Sequence, residues 1–240
     1  MSIKNHVPNA ITCLNLFSGC IAVVMAFRGL FFYALLFVIL AAVFDFFDGF
    51  AARLLHASSP IGKELDSLAD MVSFGVAPSV VVFTQLSWLD GVGKFLPFGA
   101  FLIAVFSALR LAKFNVDDRQ TSSFIGLATP ANALFFMGLF AIVDPLTPVA
   151  SYLEPHRGLI YPVLFQPAAI LLLVLFFSYL LVSEIPMFSL KFKSFRWEDN
   201  KVRFIFLGLS LILLIVLQFV ALPFVILLYL LLSVFDSYKF

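Results

Sequence analysis

The chain has 240 residues, of which 62% are hydrophobic and only 12% are charged, and its formal net charge is +1. Soluble globular domains carry about 25% charged residues. This composition therefore excludes an ordinary soluble protein and predicts an integral membrane protein with several spans. The nearly neutral charge gives no electrostatic reason to expect a nucleic-acid partner.

Apolar runs of about 20 residues, the length needed to cross a bilayer, predict the fold class. We expect a single domain over residues 1–240, all-α, built as a polytopic membrane helical bundle of about eight transmembrane helices. Six of these would form the core, followed by two C-terminal helices that are separated only by a break at Pro223. The predicted spans are residues 8–27, 30–55, 62–86, 95–114, 128–144, 160–183, 202–220 and 222–237.

The distribution of Lys and Arg predicts the orientation in the membrane. With eight spans and a cytoplasmic N-terminus, the outer side holds Arg28, Lys94 and Arg157, and the cytoplasmic side holds the other twelve of the 15 basic residues. This asymmetry follows the positive-inside rule, and the basic segment after residue 190 supports it by itself. The loop between the second and third spans is thus predicted to face the cytoplasm.

Four aspartates lie within these two predicted spans: Asp45, Asp48, Asp66 and Asp70. A carboxylate at membrane depth costs about 2.5–3.5 kcal/mol on insertion scales, so four of them indicate bound partners rather than chance. The i, i+3 and i, i+4 spacings put each pair on one helix face, and a short loop makes the two helices antiparallel neighbours. Oxygen ligands without His or Cys favour Mg²⁺ or Mn²⁺, and four carboxylates suit two ions.

Small and basic residues surround the aspartates. Gly49 and Ala52 share a turn with them and allow a ligand or a neighbouring helix to approach the backbone closely. Arg53 could bind a phosphate through its guanidinium group or anchor the helix at the cytoplasmic surface. Gly62 could allow a ligand to approach the backbone closely, or it could be a glycine that only the turn requires.

From Asp45 to Asp70 the chain reads D-x₂-D-G-x₂-A-R-x₈-G-x₃-D-x₃-D. This pattern resembles the signature of the CDP-alcohol phosphotransferases, integral membrane enzymes of phospholipid synthesis. The resemblance implies that an alcohol attacks the phosphorus of a CDP-linked donor and that CMP leaves. It also implies metal binding by all four aspartates, with Asp66 and Asp70 as catalytic residues and Asp70 as general base. A CDP site around Gly49, Ala52, Arg53 and Gly62, and a homodimer, are further implications.

Weaker resemblances concern the acceptor alcohol. Segments that begin at Val7, Asp66, Leu109 and Phe124 resemble membrane-embedded phosphatidylserine synthases of that family, as does the Glu184-Ile-Pro-Met segment. Most of this resemblance lies in the first 130 residues. It implies CDP-diacylglycerol as donor and L-serine as acceptor. The alternatives within the family are glycerol 3-phosphate, inositol and inositol phosphate.

Two groups of polar residues are candidates for substrate contact. L-serine carries a carboxylate that needs a cation, and Arg110 and Lys113 lie one turn apart at the cytoplasmic end of the fourth predicted span. The alternative for both is snorkelling to the membrane interface. Asn9, Thr12 and Asn15 share one face of the first span. They could contact CDP or serine, or form hydrogen bonds between helices.

A cation transporter that uses the four carboxylates as an ion relay is the alternative from another class. Transporters often contain inverted repeats and helices broken near the midplane of the membrane. The sequence shows no evident repeat, and the aspartates cluster at one predicted membrane face. We therefore favour phosphotransfer over transport.

Overall fold

The computed structural model describes residues 3–57, 59–117, 124–148, 165–190 and 196–237. These residues are nearly all helical, as predicted. The helices are α1 (Ile3–Phe27), α2 (Phe31–Leu54), α3 (Pro60–Asp70), α4 (Ala77–Ser87), α5 (Leu102–Val116), α6 (Thr129–Ala141), α7 (Pro167–Val182), α8 (Trp197–Leu217) and α9 (Ala221–Ser237). Two short strands, β1 (Phe124–Ile125) and β2 (Pro186–Met187), pair antiparallel, with Phe124 opposite Met187.

Five stretches of the described residues are long and apolar enough to cross a membrane, which supports an integral membrane helical bundle. They are His6–Phe27, Phe31–Leu54, Pro60–Ser87, Leu96–Val116 and Trp197–Asp236. Helices α6 and α7 are apolar but shorter. The start of the predicted sixth span, residues 160–164, lies outside the described residues, as do the basic residues Arg119, Arg157, Lys191, Lys193 and Lys239.

The last of these five stretches folds back on itself. Gln218 has φ 50° and ψ −130°, which interrupts the helix, and a short 3-10 turn from Gln218 to Val220 follows. The rings of Phe206 and Tyr229, on opposite sides of this turn, lie 5.8 Å apart. In one straight helix they would be roughly 35 Å apart. Helices α8 and α9 thus form a hairpin. Its break lies at Gln218, not at Pro223 as predicted, because Pro223 is tolerated in the first turn of α9.

A glycine turn joins α1 to α2. Gly29 has φ +72°, its N–H donates to the Ala26 carbonyl at 3.0 Å, and the Leu30 N–H donates to the Met25 carbonyl at 3.0 Å. These two bonds form a Schellman motif, which ends a helix and favours glycine at the left-handed position. The turn brings α2 back along α1.

The beginning of α2 is capped by a residue distant in the sequence. Leu30 offers no capping side chain. Instead the Phe32 N–H donates to Asp144 Oδ2 at 2.8 Å, and the Leu146 N–H donates to Asp144 Oδ1 at 2.9 Å. Asp144 follows α6 and is 3% exposed. Its carboxylate therefore satisfies a helix N–H that has no partner within the helix.

The third span consists of two α-helices joined by a π-helical segment. Ser59 caps α3 by accepting a hydrogen bond from the Gly62 N–H at 3.1 Å, and Pro60 occupies the first helical position. After Asp70 the chain continues as a π-helical segment, Met71–Val76, and then as α4. A π turn contains more residues than an α turn, so it changes which faces of α3 and α4 point the same way.

Helix α1 lies between the two segments that carry the aspartates. It packs against α2 on one side and against α3, the π segment and α4 on the other. Helix α6 packs against α2, α4 and α9 and contributes the fully buried rings of Phe136 and Phe140 to the core. The polar face of α1 is consequently directed toward the aspartates of both neighbours.

Candidate active site

Three of the four aspartates meet. Asp45, Asp48 and Asp66 each offer a carboxylate oxygen within 4.8 Å of the other two. Asp48 Oδ2 and Asp66 Oδ1 are buried and have no hydrogen-bond partner among the described residues. Leaving buried acceptors unsatisfied costs free energy, and a divalent cation with oxygen ligands would remove that cost. The donor set therefore fits a hard divalent metal ion.

Asp70 lies beside this group without being part of it. It follows Asp66 by one helical turn on α3 and is 9% exposed. Its carboxyl group interacts with that of Asp45, which connects it to the three-carboxylate group. Its Oδ1 accepts a hydrogen bond from Asn15 Nδ2 at 3.1 Å. The four aspartates thus form one cluster with two different environments.

A cavity of about 230 Å³ opens beside the three-carboxylate group. Helices α1, α2 and α3 and the loop between the last two build its walls, which are lined by Pro8, Asn9, Thr12, Asp48, Gly49, Ala52, Ala57, Ser59, Gly62, Lys63 and Asp66. The residues that the sequence suggested as a CDP site line this cavity, except Arg53. Arg53 is exposed at the end of α2.

The two glycines of the cavity wall have different surroundings. A Cβ atom added to Gly49 would meet nothing within 4 Å, so this glycine leaves open space beside Asp48. A Cβ atom added to Gly62 would come within 3.0 Å of Asn9 Oδ1 and 3.1 Å of Ser59 Oγ. Gly62 is therefore more than a turn residue, since it allows α1 to approach the start of α3.

Lys63 lines the cavity but was not predicted as a site residue. Lys63 Nζ donates to the Asn115 carbonyl at 2.8 Å, and Asn115 Nδ2 donates to Ser67 Oγ at 2.9 Å. These bonds tie α3 to the end of α5 beside the cavity. The signal for Lys63 in the sequence is its position between Gly62 and Asp66 in the motif, whereas the positive-inside pattern places it only on the cytoplasmic side.

Arg110 faces the interior of the bundle. It is 7% exposed, its Nε donates to the Leu127 carbonyl at 2.6 Å, and its Cζ lies 5.5 Å from the centre of the Phe114 ring. Its charge interacts with the carboxylate of Asp70. Burial of this kind argues against snorkelling, which would carry the guanidinium group to the membrane interface.

Lys113 has a different environment. Its ammonium group forms an ion pair with Glu184, and 39% of its side chain is exposed. Glu184 belongs to the segment after α7. Of the two cations predicted for the acceptor site, Arg110 is therefore buried in the bundle and bonded to the Leu127 carbonyl, and Lys113 is paired with an exposed carboxylate.

The carbonyl group that holds Arg110 is itself fixed by a backbone junction. Gly126 has φ +75°, and a Cβ atom there would come within 2.9 Å of the carbonyl oxygens of Leu181, in the last turn of α7, and of Ser183, just after it. The Gly126 N–H donates to the Ile185 carbonyl and the Leu127 N–H to the Leu180 carbonyl, both at 2.9 Å. Only glycine suits this position, and the junction leaves the Leu127 carbonyl aimed at Arg110.

Comparison with known proteins identifies the class. The sequence model of the CDP-alcohol phosphatidyltransferases matches residues 5–235, so the chain belongs to this family, as the aspartate motif predicted. This membership favours phosphotransfer over the transporter alternative.

Within the family, the chain is similar to proteins named CDP-diacylglycerol–serine O-phosphatidyltransferase. It is 36% identical to the Bacillus subtilis protein over 146 residues, 59% of this chain and 79% of that one. It is 36% identical to the Helicobacter pylori J99 protein over 130 residues, 53% of this chain and 54% of that one. The Methanocaldococcus jannaschii protein is 31% identical over 138 residues, 58% of this chain and 62% of that one. The chain thus spans about half the length of the Helicobacter relative and most of the Bacillus one.

Proposed function

We propose that this chain transfers the phosphatidyl group of CDP-diacylglycerol to L-serine, giving phosphatidylserine and CMP. The observation that carries the proposal is the meeting of Asp45, Asp48 and Asp66 beside a cavity at the ends of apolar helices. Family membership supports the reaction type. The names of the similar proteins support serine as the acceptor.

The cytidine diphosphate part of the donor occupies the cavity. Asn9 and Thr12 offer polar groups to it from α1, and the open space at Gly49 and the small Ala52 leave room near the carboxylates. Arg53 reaches a phosphate from the rim, where its guanidinium group is exposed. The acyl chains of the donor remain in the lipid beside the helices.

The aspartates hold Mg²⁺ or Mn²⁺, and four carboxylates suit two ions. When bound, the ions neutralise charge on the diphosphate and make CMP a better leaving group. Asp45, Asp48 and Asp66 offer carboxylate oxygens within 4.8 Å of one another, which suits them to bind the same ion. Asp70 completes the set from its separate environment on the next turn.

Asp70 is the general base of the reaction. It takes the proton of the serine hydroxyl, the serine oxygen bonds to the phosphorus that carries diacylglycerol, and the bond from that phosphorus to the CMP oxygen breaks. Arg110 binds the serine carboxylate, since its charge lies near Asp70 in a buried position. Lys113 adds positive charge one turn away. Asp66 would act with Asp70 as a ligand of the metal ion that neutralises charge on the diphosphate.

We also propose the orientation and assembly of the whole chain. The bundle crosses the membrane eight times as one domain, with a six-helix catalytic core, two C-terminal helices and the site at the cytoplasmic face. The α8–α9 hairpin supports counting Trp197–Asp236 as two spans. The family resemblance supports a homodimer, which light scattering of the purified protein in detergent would test.

The decisive experiment supplies the purified protein in lipid nanodiscs with CDP-diacylglycerol and radiolabelled L-serine. We expect labelled phosphatidylserine and an equal amount of CMP, both lost on chelation and restored by Mg²⁺ or Mn²⁺. Parallel reactions contain glycerol 3-phosphate, inositol or inositol phosphate instead of serine. A lipid product with one of these acceptors and none with serine would contradict the assignment.

A further inference from the structure

A chain of buried hydrogen bonds reaches Asp70 from α1. Asn15 Nδ2 donates to Asp70 Oδ1 at 3.1 Å. Ser73 Oγ donates to the side-chain oxygen of Asn15, Oδ1, at 2.7 Å and also lies 3.1 Å from the backbone carbonyl oxygen of Asn15. Asn15 and Ser73 are both 0% exposed. The bonds therefore connect the π segment, α1 and α3 at a single carboxylate.

The chemistry of the three groups makes the chain directional. A carboxylate only accepts hydrogen bonds, so Asp70 needs the NH₂ end of the Asn15 amide. The hydroxyl of Ser73 has a proton to give, which suits the oxygen end of the same amide. With the amide reversed, its oxygen would face the carboxylate oxygen without a proton between them. Ser73 thus favours the amide orientation in which the NH₂ group of Asn15 donates to Asp70.

A glycine permits the close approach that the chain requires. Gly19 lies one helical turn after Asn15 on α1, and a Cβ atom there would come within 2.2 Å of Ser73 Oγ and 2.9 Å of Ser73 Cα. The backbone of α1 can therefore lie against the π segment only because this position has no side chain.

We propose that Asn15 and Ser73 are positioning residues. They hold the Asp70 carboxylate in the orientation in which it takes the proton from the hydroxyl group of the acceptor alcohol. The proposal rests on the proposed function, in which Asp70 is the general base. With Oδ1 fixed by Asn15, the other oxygen of Asp70 points in one direction. Holding a reacting group in one geometry lowers the entropic part of the barrier. Neither residue lines the donor cavity, and both act through Asp70.

The test compares Asn15→Leu, Ser73→Ala, Ser73→Cys and the double variant Asn15→Leu/Ser73→Ala. Ser79→Ala is the matched control. Ser79 is also 0% exposed in the same span, but its hydroxyl donates to the Gly75 carbonyl at 2.7 Å, within its own helix. Each protein is measured for kcat, for the KM of both substrates, for Mn²⁺ affinity by electron paramagnetic resonance and for melting temperature in detergent.

We expect Asn15→Leu to lower kcat roughly ten- to a hundredfold, the effect of losing a hydrogen bond to a charged group. The KM for CDP-diacylglycerol and the Mn²⁺ affinity should stay within about threefold of the unmodified protein. Asp70 keeps its carboxylate in this variant, and the hydrogen bonds from Asn15 do not reach the three-carboxylate group. Ser73→Ala should lower kcat less, and Ser73→Cys should recover part of the loss through its weak donor. The double variant should resemble Asn15→Leu alone, since Ser73 acts through Asn15. Ser79→Ala should keep the kcat of the unmodified protein.

A kcat within twofold of the unmodified protein in Asn15→Leu would overturn the proposal, as would independent, multiplying losses in the double variant. If Asn15→Leu does not fold, Ser73→Ala decides, with Ser73→Cys as its rescue. Failure of the proposed function is seen separately, as absence of phosphatidylserine from the unmodified protein. In that case the same kcat comparison is made with the acceptor that does react.

Discussion

Asp70 differs from the other three aspartates in having a side-chain amide as donor to one of its oxygens. We predict that Asp70→Asn lowers turnover by at least roughly 10²–10⁴-fold, because the amide cannot take the serine proton. CDP-diacylglycerol should still bind, since Asp70 does not line the donor cavity. CMP release and binding of radiolabelled donor measure the two effects.

Asp48→Asn is the comparison for this variant. Asp48 belongs to the three-carboxylate group and borders the cavity, so its loss should weaken Mn²⁺ binding as well as turnover. Near-normal turnover in Asp70→Asn would rule out Asp70 as the base. Asp70→Asn should weaken Mn²⁺ binding less than Asp48→Asn does, because Asp70 lies outside the three-carboxylate group. An equal loss of Mn²⁺ affinity in the two variants would contradict this difference.

The acceptor site can be tested at Arg110. We predict that Arg110→Gln raises the KM for L-serine about tenfold or more, because a buried charge-assisted contact to the carboxylate is lost. The KM for CDP-diacylglycerol should change little. Lys113→Gln is the matched control, since Lys113 is paired with Glu184 and should have a smaller effect on serine KM. A larger effect from Lys113→Gln would move the serine carboxylate to that residue.

At the level of elements, Asp144 fastens the start of α2 to the chain after α6. We predict that Asp144→Ala lowers the free energy of unfolding by about 1–2 kcal/mol, the usual cost of losing a helix cap. Turnover per folded molecule should stay unchanged, because α2 places Asp45 roughly 20 Å away along its axis. Thermal unfolding in detergent measures the loss. Asp144→Asn, which keeps an acceptor, should lose less; an equal loss would contradict the capping role.

The elements also show what local sequence can predict. Apolar runs and glycine or proline breaks predict where the helices lie, because span length depends on composition, but not where each begins. Helix α5 begins at Leu102 rather than at residue 95, and α7 begins at Pro167 rather than at residue 160. The break between the last two helices was predicted, but its position at Gln218 was not, since neither Gln nor its neighbours has the turn preference of glycine. The π segment was not predicted either, because no residue pattern in Met71–Val76 distinguishes a π turn from an α turn. Its Ser73 lies close to Gly19 on another helix, a contact that local sequence does not show.

For the molecule as a whole, the positive-inside asymmetry predicts which loops face the cytoplasm. After Cys13 and Cys20, both exposed, are replaced by serine, single cysteines are introduced as Glu64→Cys and Asp90→Cys. Both positions are exposed and lie toward opposite ends of the third span. A membrane-impermeant maleimide should label the Asp90 variant on intact cells and the Glu64 variant only after permeabilisation. The reverse pattern would place the site on the outer face.

Much of the candidate site follows from the motif, because spacing on two adjacent helices determines which carboxylates can converge. The different contacts of the polar residues on α1 do not follow from the motif. Asn9, Thr12 and Asn15 share a face in sequence, yet Asn9 and Thr12 border the cavity and Asn15 bonds to Asp70. The pairing of Lys113 with Glu184 depends on a segment about seventy residues away. Which partner each of these side chains contacts depends on the packing of the whole bundle.

The π segment Met71–Val76 has a consequence for insertions and deletions in this region. Because its turns are wider than those of an α-helix, this segment holds about one residue more than an α-helix of the same length. Removing one residue there would restore a regular α-helix and leave the buried face of α4 directed as it is now. Removing one residue from a regular part of α4 would instead rotate the rest of that helix by about 100°. Single-residue gaps in an alignment of related sequences are therefore expected between Asp70 and Ala77 rather than within α4.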